Sequence, residues 1–261
     1  MKNNRTSLSR EQFDAMKCAF PCNQVIVKIE KKDIKTPSGI NLSFNDDVLY
    51  GEGEGSHVAD MSTVMGTIIK QPEKLYFHPH DSRSMSWETE LETAVGDVVF
   101  SHPLNVRNAD EIEVDGDIYQ VWPTEDLFCA KRRMAIQRKN ITENDMIVDE
   151  AAFHDVVVVD RVIPLNANVI LEPIYKPKLS EFDVLPKELD KERAIVRFVG
   201  SSNKRYQAKG VADIEGIKVG DMVLIDKNTY IIWLERMEYN SNFDNGKMYY
   251  AIQKRFILAV I

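Results

Sequence analysis

No apolar run in this 261-residue chain approaches the ~20 residues that a membrane-spanning helix needs, so no membrane helix is expected. Positive charge is in deficit, with 33 Lys and Arg against 41 Asp and Glu and a net charge of -8. A surface of that sign repels a phosphate backbone, so nucleic acid is not an expected partner. Cysteine is scarce: Cys18, Cys22 and Cys129 are the only three. An odd trio builds no disulfide framework and suits a reducing compartment. The polar, basic start from Met1 to Ser9 has no apolar segment behind it, and Glu11 and Asp14 sit poorly with a transit peptide. The expected location is therefore the cytoplasm.

Catalytic signatures are missing as well. Gly51-Glu52-Gly53-Glu54-Gly55 is no dinucleotide fingerprint, because it lacks the strand-to-helix context and its carboxylates would repel phosphate. No Ser-His-Asp or Cys-His arrangement stands out. Cys18, Cys22, Cys129, His57, His78 and His80 carry metal-binding atoms but no structural-zinc spacing. The expectation is a protein that is not an enzyme, with no cofactor and no metal.

What the chain does have is short β-branched runs separated by turn residues, the pattern of an all-β protein. Residues 1–19 form a polar lead-in, where Ser9 and Gln12 suit a capping box on a short helix that Pro21 ends. Val25 to Ile29 reads as a strand, and so does Thr63 to Lys70. Between them lies a tract carrying Gly51, Gly53 and Gly55. Gln71 to Glu92 is a polar excursion with Tyr76, Phe77 and Trp87. Val95-Gly96-Asp97 is a turn before Val98-Val99-Phe100. Asp115-Gly116 sits between apolar alternations and predicts a two-residue hairpin turn with positive φ at both positions. Residues 131–155, opening on Lys131-Arg132-Arg133, read as a charged, partly helical linker. A helix there would be capped at Thr142 and Asp145 and run through Ala151 and Ala152. The basic triplet is either a patch for an anionic partner or a solvated junction.

After that linker the landmarks return in order. Val169-Ile170-Leu171 answers Val25-Ile26-Val27, and Ala194 to Gly200 answers Met65 to Ile69. Val219-Gly220-Asp221 answers Val95-Gly96-Asp97, and Asp244 to Tyr249 answers Val114 to Tyr119. Phe256-Ile257-Leu258-Ala259 answers Leu127-Phe128-Cys129-Ala130. Such an ordered set marks a duplication.

The segment Ser38-Gly39-Ile40-Asn41-Leu42 follows the first strand. Ile40 and Leu42 share a face if the chain is extended, and Pro37 and Gly39 break regular structure. Taken alone, the pair either tucks back onto its own body or is displayed to a partner. In its setting, between that strand and its return and ahead of Val95-Gly96-Asp97-Val98-Val99-Phe100, it resembles the GroES-type co-chaperonin family. The resemblance covers about residues 20–130 and again 160–261. It implies two tandem GroES-like small β-barrels: residues 20–130 with a mobile loop, and 156–261 without the docking tripeptide.

In that family the loop docks on the apical domain of a GroEL-type chaperonin, here through Gly39, Ile40, Asn41 and Leu42. The implied activity is a ring-shaped, homo-oligomeric lid that assists ATP-dependent folding of an unfolded client, with ATP bound by the partner. Medium-chain alcohol dehydrogenases share the barrel, but no Rossmann half is present here. Tyr76, Phe77 and Trp87 fall where the family has its dome-forming excursion. They line a client-facing surface or form a small satellite core. In the second copy, Phe182 and Leu185 stand as a degenerate docking loop or as part of a structural domain. The long excursions and unequal copies resemble divergent forms that some bacteriophages encode, which would place the protein in the host cytoplasm. The alternative is a phage structural or interaction protein that reuses the barrel without a chaperonin.

Overall fold

The computed structural model describes residues 5–18, 23–29, 34–35, 41–42, 64–78, 86–106, 109–150, 155–176, 189–201, 216–229, 231–234 and 249–261. The chain forms two compact units, Met1–Leu127 and Phe128–Ile261. In the first, β1 (Arg5–Leu8) leads to a short helix, α1 (Arg10–Ala15), and then to β2 (Gln24–Ile29). The two-residue strands β3 (Ile34–Lys35) and β4 (Asn41–Leu42) follow, then β5 (Val64–Lys70), β6 (Lys74–Phe77), β7 (Trp87–Glu90) and β8 (Val98–Ser101). A one-turn helix, α2 (Pro103–Val106), precedes β9 (Glu111–Val114) and β10 (Asp117–Pro123). Next come β11 (Leu127–Gln137), β12 (Asp145–Asp149), β13 (Val156–Pro164), β14 (Asn168–Tyr175) and β15 (Leu189–Val199). The chain ends with β16 (Met222–Ile225), β17 (Ile232–Leu234), β18 (Tyr249–Gln253) and β19 (Ile257–Val260). Among the described residues the protein is all-β with almost no helix.

Several local expectations hold. Ser9 caps α1, accepting from the Gln12 amide while the Gln12 side chain accepts from the Ser9 amide. Asp115 and Gly116 take φ of 52° and 85° between β9 and β10, as the two-residue turn requires.

The first unit orders its strands β1-β9-β10-β2-β5-β8, and the second contains a six-stranded sheet ordered β17-β18-β14-β15-β16-β19. Five strands thus recur in one order, with β9, β10, β2, β5 and β8 matched by β17, β18, β14, β15 and β16. The registers match too. Thr67 pairs with Val98 and Gly66 with Val99; Ile195 pairs with Met222 and Ala194 with Val223. Three matched pairs of side chains are fully buried: Val25 and Val169, Ile68 and Val196, Val99 and Val223. One detail of the sequence alignment shifts by a residue. A 3₁₀ turn ends at Asp126 before Leu127 and at Phe256 before Ile257, so Ile257, not Phe256, answers Leu127.

The two Val-Gly-Asp turns are built alike. The Asp97 carboxylate accepts from the Ala94 amide at 2.7 Å, and that of Asp221 from the Lys218 amide at 2.7 Å. Each reversal is then clamped to the strand before it. The Gly96 amide donates to the Ile68 carbonyl, and the Ile68 amide to the Asp97 carbonyl. Gly220, Val196 and Asp221 repeat the arrangement. Gly96 and Gly220 take φ of 93° and 90°, a region that L side chains rarely adopt.

Residues 131–155 correct the expectation of a partly helical linker. Among the described residues of this stretch β11 runs to Gln137 and β12 spans Asp145–Asp149, with a 3₁₀ turn at Arg138–Asn140 between them. β11 pairs with β13 from Cys129–Pro164 to Gln137–Val156. Thr142 and Asp145 act with the opposite polarity to a helix cap. The Asp145 carboxylate accepts from the Thr142 amide and hydroxyl, which closes a turn instead of opening a helix. Ala151 and Ala152 lie outside the described residues. The basic triplet is neither a free patch nor a solvated junction throughout. Lys131 is buried 3.6 Å from the buried Asp160 carboxylate, and Arg133 reaches Asp160 with two bonds of 2.8 and 3.1 Å.

Two sets of measurements follow. Gly96→Ala and Gly220→Ala meet no atom within 4 Å, so each costs only backbone strain, about 1–2 kcal/mol. A Cβ at Gly200 would lie 2.0 Å from the Pro164 carbonyl oxygen, so Gly200→Ala costs more than either; urea unfolding ranks the three. Burial raises the Asp145 pKa, but Arg161 at 2.7 and 2.9 Å and the Thr142 donors more than offset this and hold it below the usual carboxylate range. Its folded pKa is thus below its unfolded one. The stability it supplies is present above the unfolded value, about 4, and is lost as pH falls through the folded value. Asp145→Asn removes that part of the acid dependence, and melting curves of the two proteins converge at low pH.

Candidate functional site

The chain leaves the first sheet at Ile29 and returns at Val64, and the backbone pairs Ile29 with Gly66 at the base of this excursion. The base is tightly packed. A Cβ on Gly66 would lie 3.0 Å from Val27 Cβ and 3.2 Å from Trp122 Cη2, so glycine lets the indole lie across the strand. Trp122 is fully buried and donates from Nε1 to Gln120 Oε1 at 3.0 Å. On the outer side, Lys28 Nζ sits 2.9 Å from Asp117. Their mutual hydrogen bond raises the lysine pKa and lowers that of the aspartate.

Within the excursion, β3 and β4 form a separate two-stranded ribbon, with Ile34 opposite Leu42 and Lys35 opposite Asn41. Residues 36–40 connect its strands. The backbones of Asn41 and Leu42 are therefore in a strand; their side chains, and Gly39 and Ile40 entirely, lie outside the described residues. A two-rung ribbon has little stability of its own.

The second excursion of this unit, the β6–β7 ribbon, is held by polar side chains. Asn23 Nδ2 donates to the Tyr76 carbonyl at 2.7 Å, and the Tyr76 amide donates to Asn23 Oδ1 at 2.8 Å. The amide side chain thus behaves as a strand neighbour would. The carbonyl of Asn23 also accepts from the Thr124 amide and hydroxyl. Gln71 and Thr93 close the ribbon's foot, with Gln71 donating to the Thr93 carbonyl and the Thr93 hydroxyl donating to Gln71 Oε1. Phe77 is buried and its ring centroid lies 5.5 Å from that of Trp87; Leu75 is buried as well. Phe77 and Leu75 therefore belong to a small satellite core. Tyr76 lies edge-on to His78 at 4.9 Å, and His78 Nδ1 is 2.8 Å from the Ser86 hydroxyl.

Cys129 is fully buried, and desolvation pushes its thiol well above the ordinary range. Cys18 is half-buried. Cys22, His57 and His80 lie outside the described residues, as do Phe182 and Leu185 of the second copy's candidate loop. Among the described residues, no cluster of three or more His, Cys, Asp or Glu is arranged to hold a metal. No described helix is long and apolar enough to cross a membrane. The two-sided role of Asn23 was not anticipated from sequence; an asparagine just before a confident strand was the available signal. Protein-family models give no match to this chain, and curated proteins give no relative.

Asn23→Asp keeps the acceptor but removes the donor and points a carboxylate at the Tyr76 carbonyl. The expected cost is about 1–3 kcal/mol, seen as a lower melting temperature and faster amide exchange across Lys74–Phe77.

Proposed function

We propose that this protein is a co-chaperonin: a cytosolic lid built from two GroES-like small barrels per chain, which caps a GroEL-type chaperonin during ATP-dependent folding of a client. Gly39, Ile40, Asn41 and Leu42 are its docking residues. The observation that carries this reading is the placement of that segment. Its last two residues, Asn41 and Leu42, form one strand of the β3–β4 ribbon, inside a long excursion whose two ends leave adjacent strands of the first sheet. The shared strand order of the two units supports a tandem architecture. ATP belongs to the partner, and a bacteriophage source would place the lid in the host cytoplasm.

Docking two aliphatic side chains contributes roughly 1.5–3 kcal/mol each. Each residue whose backbone becomes fixed costs about 1–2 kcal/mol. One loop therefore binds weakly, and a ring that presents several identical loops binds well through linked contacts. Weak single contacts also let the lid leave when the chaperonin changes state. The second unit supports assembly through β19. Among the described residues β19 is an outer strand of its sheet, and Leu258, Val260 and Ile261 are 61%, 46% and 61% exposed. Their counterparts on β11, Phe128 and Ala130, are buried. An apolar sheet edge of this kind fits pairing with a neighbouring copy.

The test is to mix the protein with a GroEL-type chaperonin and ATP and follow co-elution. Ile40→Ser with Leu42→Ser abolishes capping while leaving melting temperature and oligomeric state unchanged. A wild-type protein that assembles but never co-elutes supports the alternative, an assembly component that reuses the fold. A double variant that caps normally refutes the docking residues.

A further inference from the structure

Residues 5–16 attach to the first unit in the manner of a bound peptide. β1 lies parallel to β9 at the sheet margin, pairing Arg5 with Glu111 through to Leu8 with Val114. The other pairings within the first unit's β9-β10-β2-β5-β8 run are antiparallel. β1 contributes backbone bonds but buries almost none of its side chains. α1 then buries one side chain, Phe13, at 2% exposure. The Phe13 ring stacks on Tyr119 at 4.7 Å in a cleft completed by Ile26, Ile112 and Val114.

Charged side chains fix the register. Arg5 grips Glu111 with bonds of 3.0 and 2.9 Å. Arg10 donates to Asp115 at 3.1 Å. Lys70 donates to the carbonyls of Asp14 and Met16 at 3.0 and 2.9 Å and lies 5.2 Å from the Phe13 ring centroid. An added strand, a single aromatic anchor and a rim of ion pairs are the parts from which peptide-recognition sites are made. The second sheet carries no equivalent strand beyond β17 among its described residues.

We propose that the cleft beneath Phe13 is a peptide-binding site, filled in the free chain by its own N-terminal arm and able to take the same arm from a second copy. Its ligand class is a short segment that first pairs with the β9 edge and then places an N-capped helical turn with an aromatic residue on Tyr119. The arm of another copy carries each of these features in the right order. The inference is independent of the co-chaperonin reading, because it concerns a different face and needs no chaperonin.

The test uses full-length protein and a fluorescent synthetic peptide of residues 4–18. In the wild-type chain the site is filled, so the peptide binds poorly. In Phe13→Ala the internal arm is weakened, and the peptide binds about tenfold tighter or more. The peptide carrying Phe13→Ala binds neither protein, and raised salt weakens binding through the arginine contacts. Arg10→Ala in the full chain alters only exposed contacts and gives the same ranking, with an increase of about threefold. No binding to either variant, while circular dichroism shows both folded, overturns the proposal. Equal binding to wild type and variants also overturns it.

Discussion

Three of the reversals that lead into a strand are closed by an aspartate. Asp97, Thr142-paired Asp145 and Asp221 each accept from the amide three residues upstream. Each donates its own amide back to that residue's carbonyl. A tight turn leaves backbone donors facing inward, and an unpaired buried donor is costly. The carboxylate satisfies one such donor without adding a residue. At Asp97 and Asp221 the turn is also locked to the strand before it, so β8 and β16 start in fixed register with β5 and β15. The rest of each sheet is laid down from those registers.

Both excursions of the first unit depend on that frame. One leaves through a base where Gly66 admits the Trp122 ring. The other is fastened by the Asn23 amide group and by Gln71 with Thr93. Long insertions are tolerated when their ends stay close, because loop closure grows only slowly more costly with length. The sheet keeps the ends close, and a few polar side chains supply the bonds that a neighbouring strand would otherwise give.

Much of this frame was legible in the residues. β-Branched runs marked β2 and β5, the Asp115-Gly116 pair marked its hairpin, and Ser9 with Gln12 marked the helix start. These signals are local, acting within four or five residues. What was not legible was long-range. Lys131 and Arg133 belong to a basic triplet that looks solvated, but their partner Asp160 arrives only with β13. Phe13 stands alone in a polar stretch and shows no periodicity, yet it fills a cleft made by three later strands. For the stretch from Gly39 to Leu42 a mobile loop was expected; Asn41 and Leu42 have strand backbone, paired with Lys35 and Ile34. Docking needs a partner's surface, which one chain cannot encode.

The contact between Gly200 and Pro164 has a mechanical consequence for the second unit. Where β13 passes the end of β15, two backbones meet with no side chain between them, and Asn144 adds a bond of 2.8 Å to the Val199 carbonyl. Side-chain interfaces can slip by exchanging rotamers, whereas bare main chains offer no such freedom. The β11–β13–β12 ribbon and the six-stranded sheet therefore have no gear in which to slide past each other. Moving one past the other would have to break the Asn144 bond and displace main chain, not only side chains.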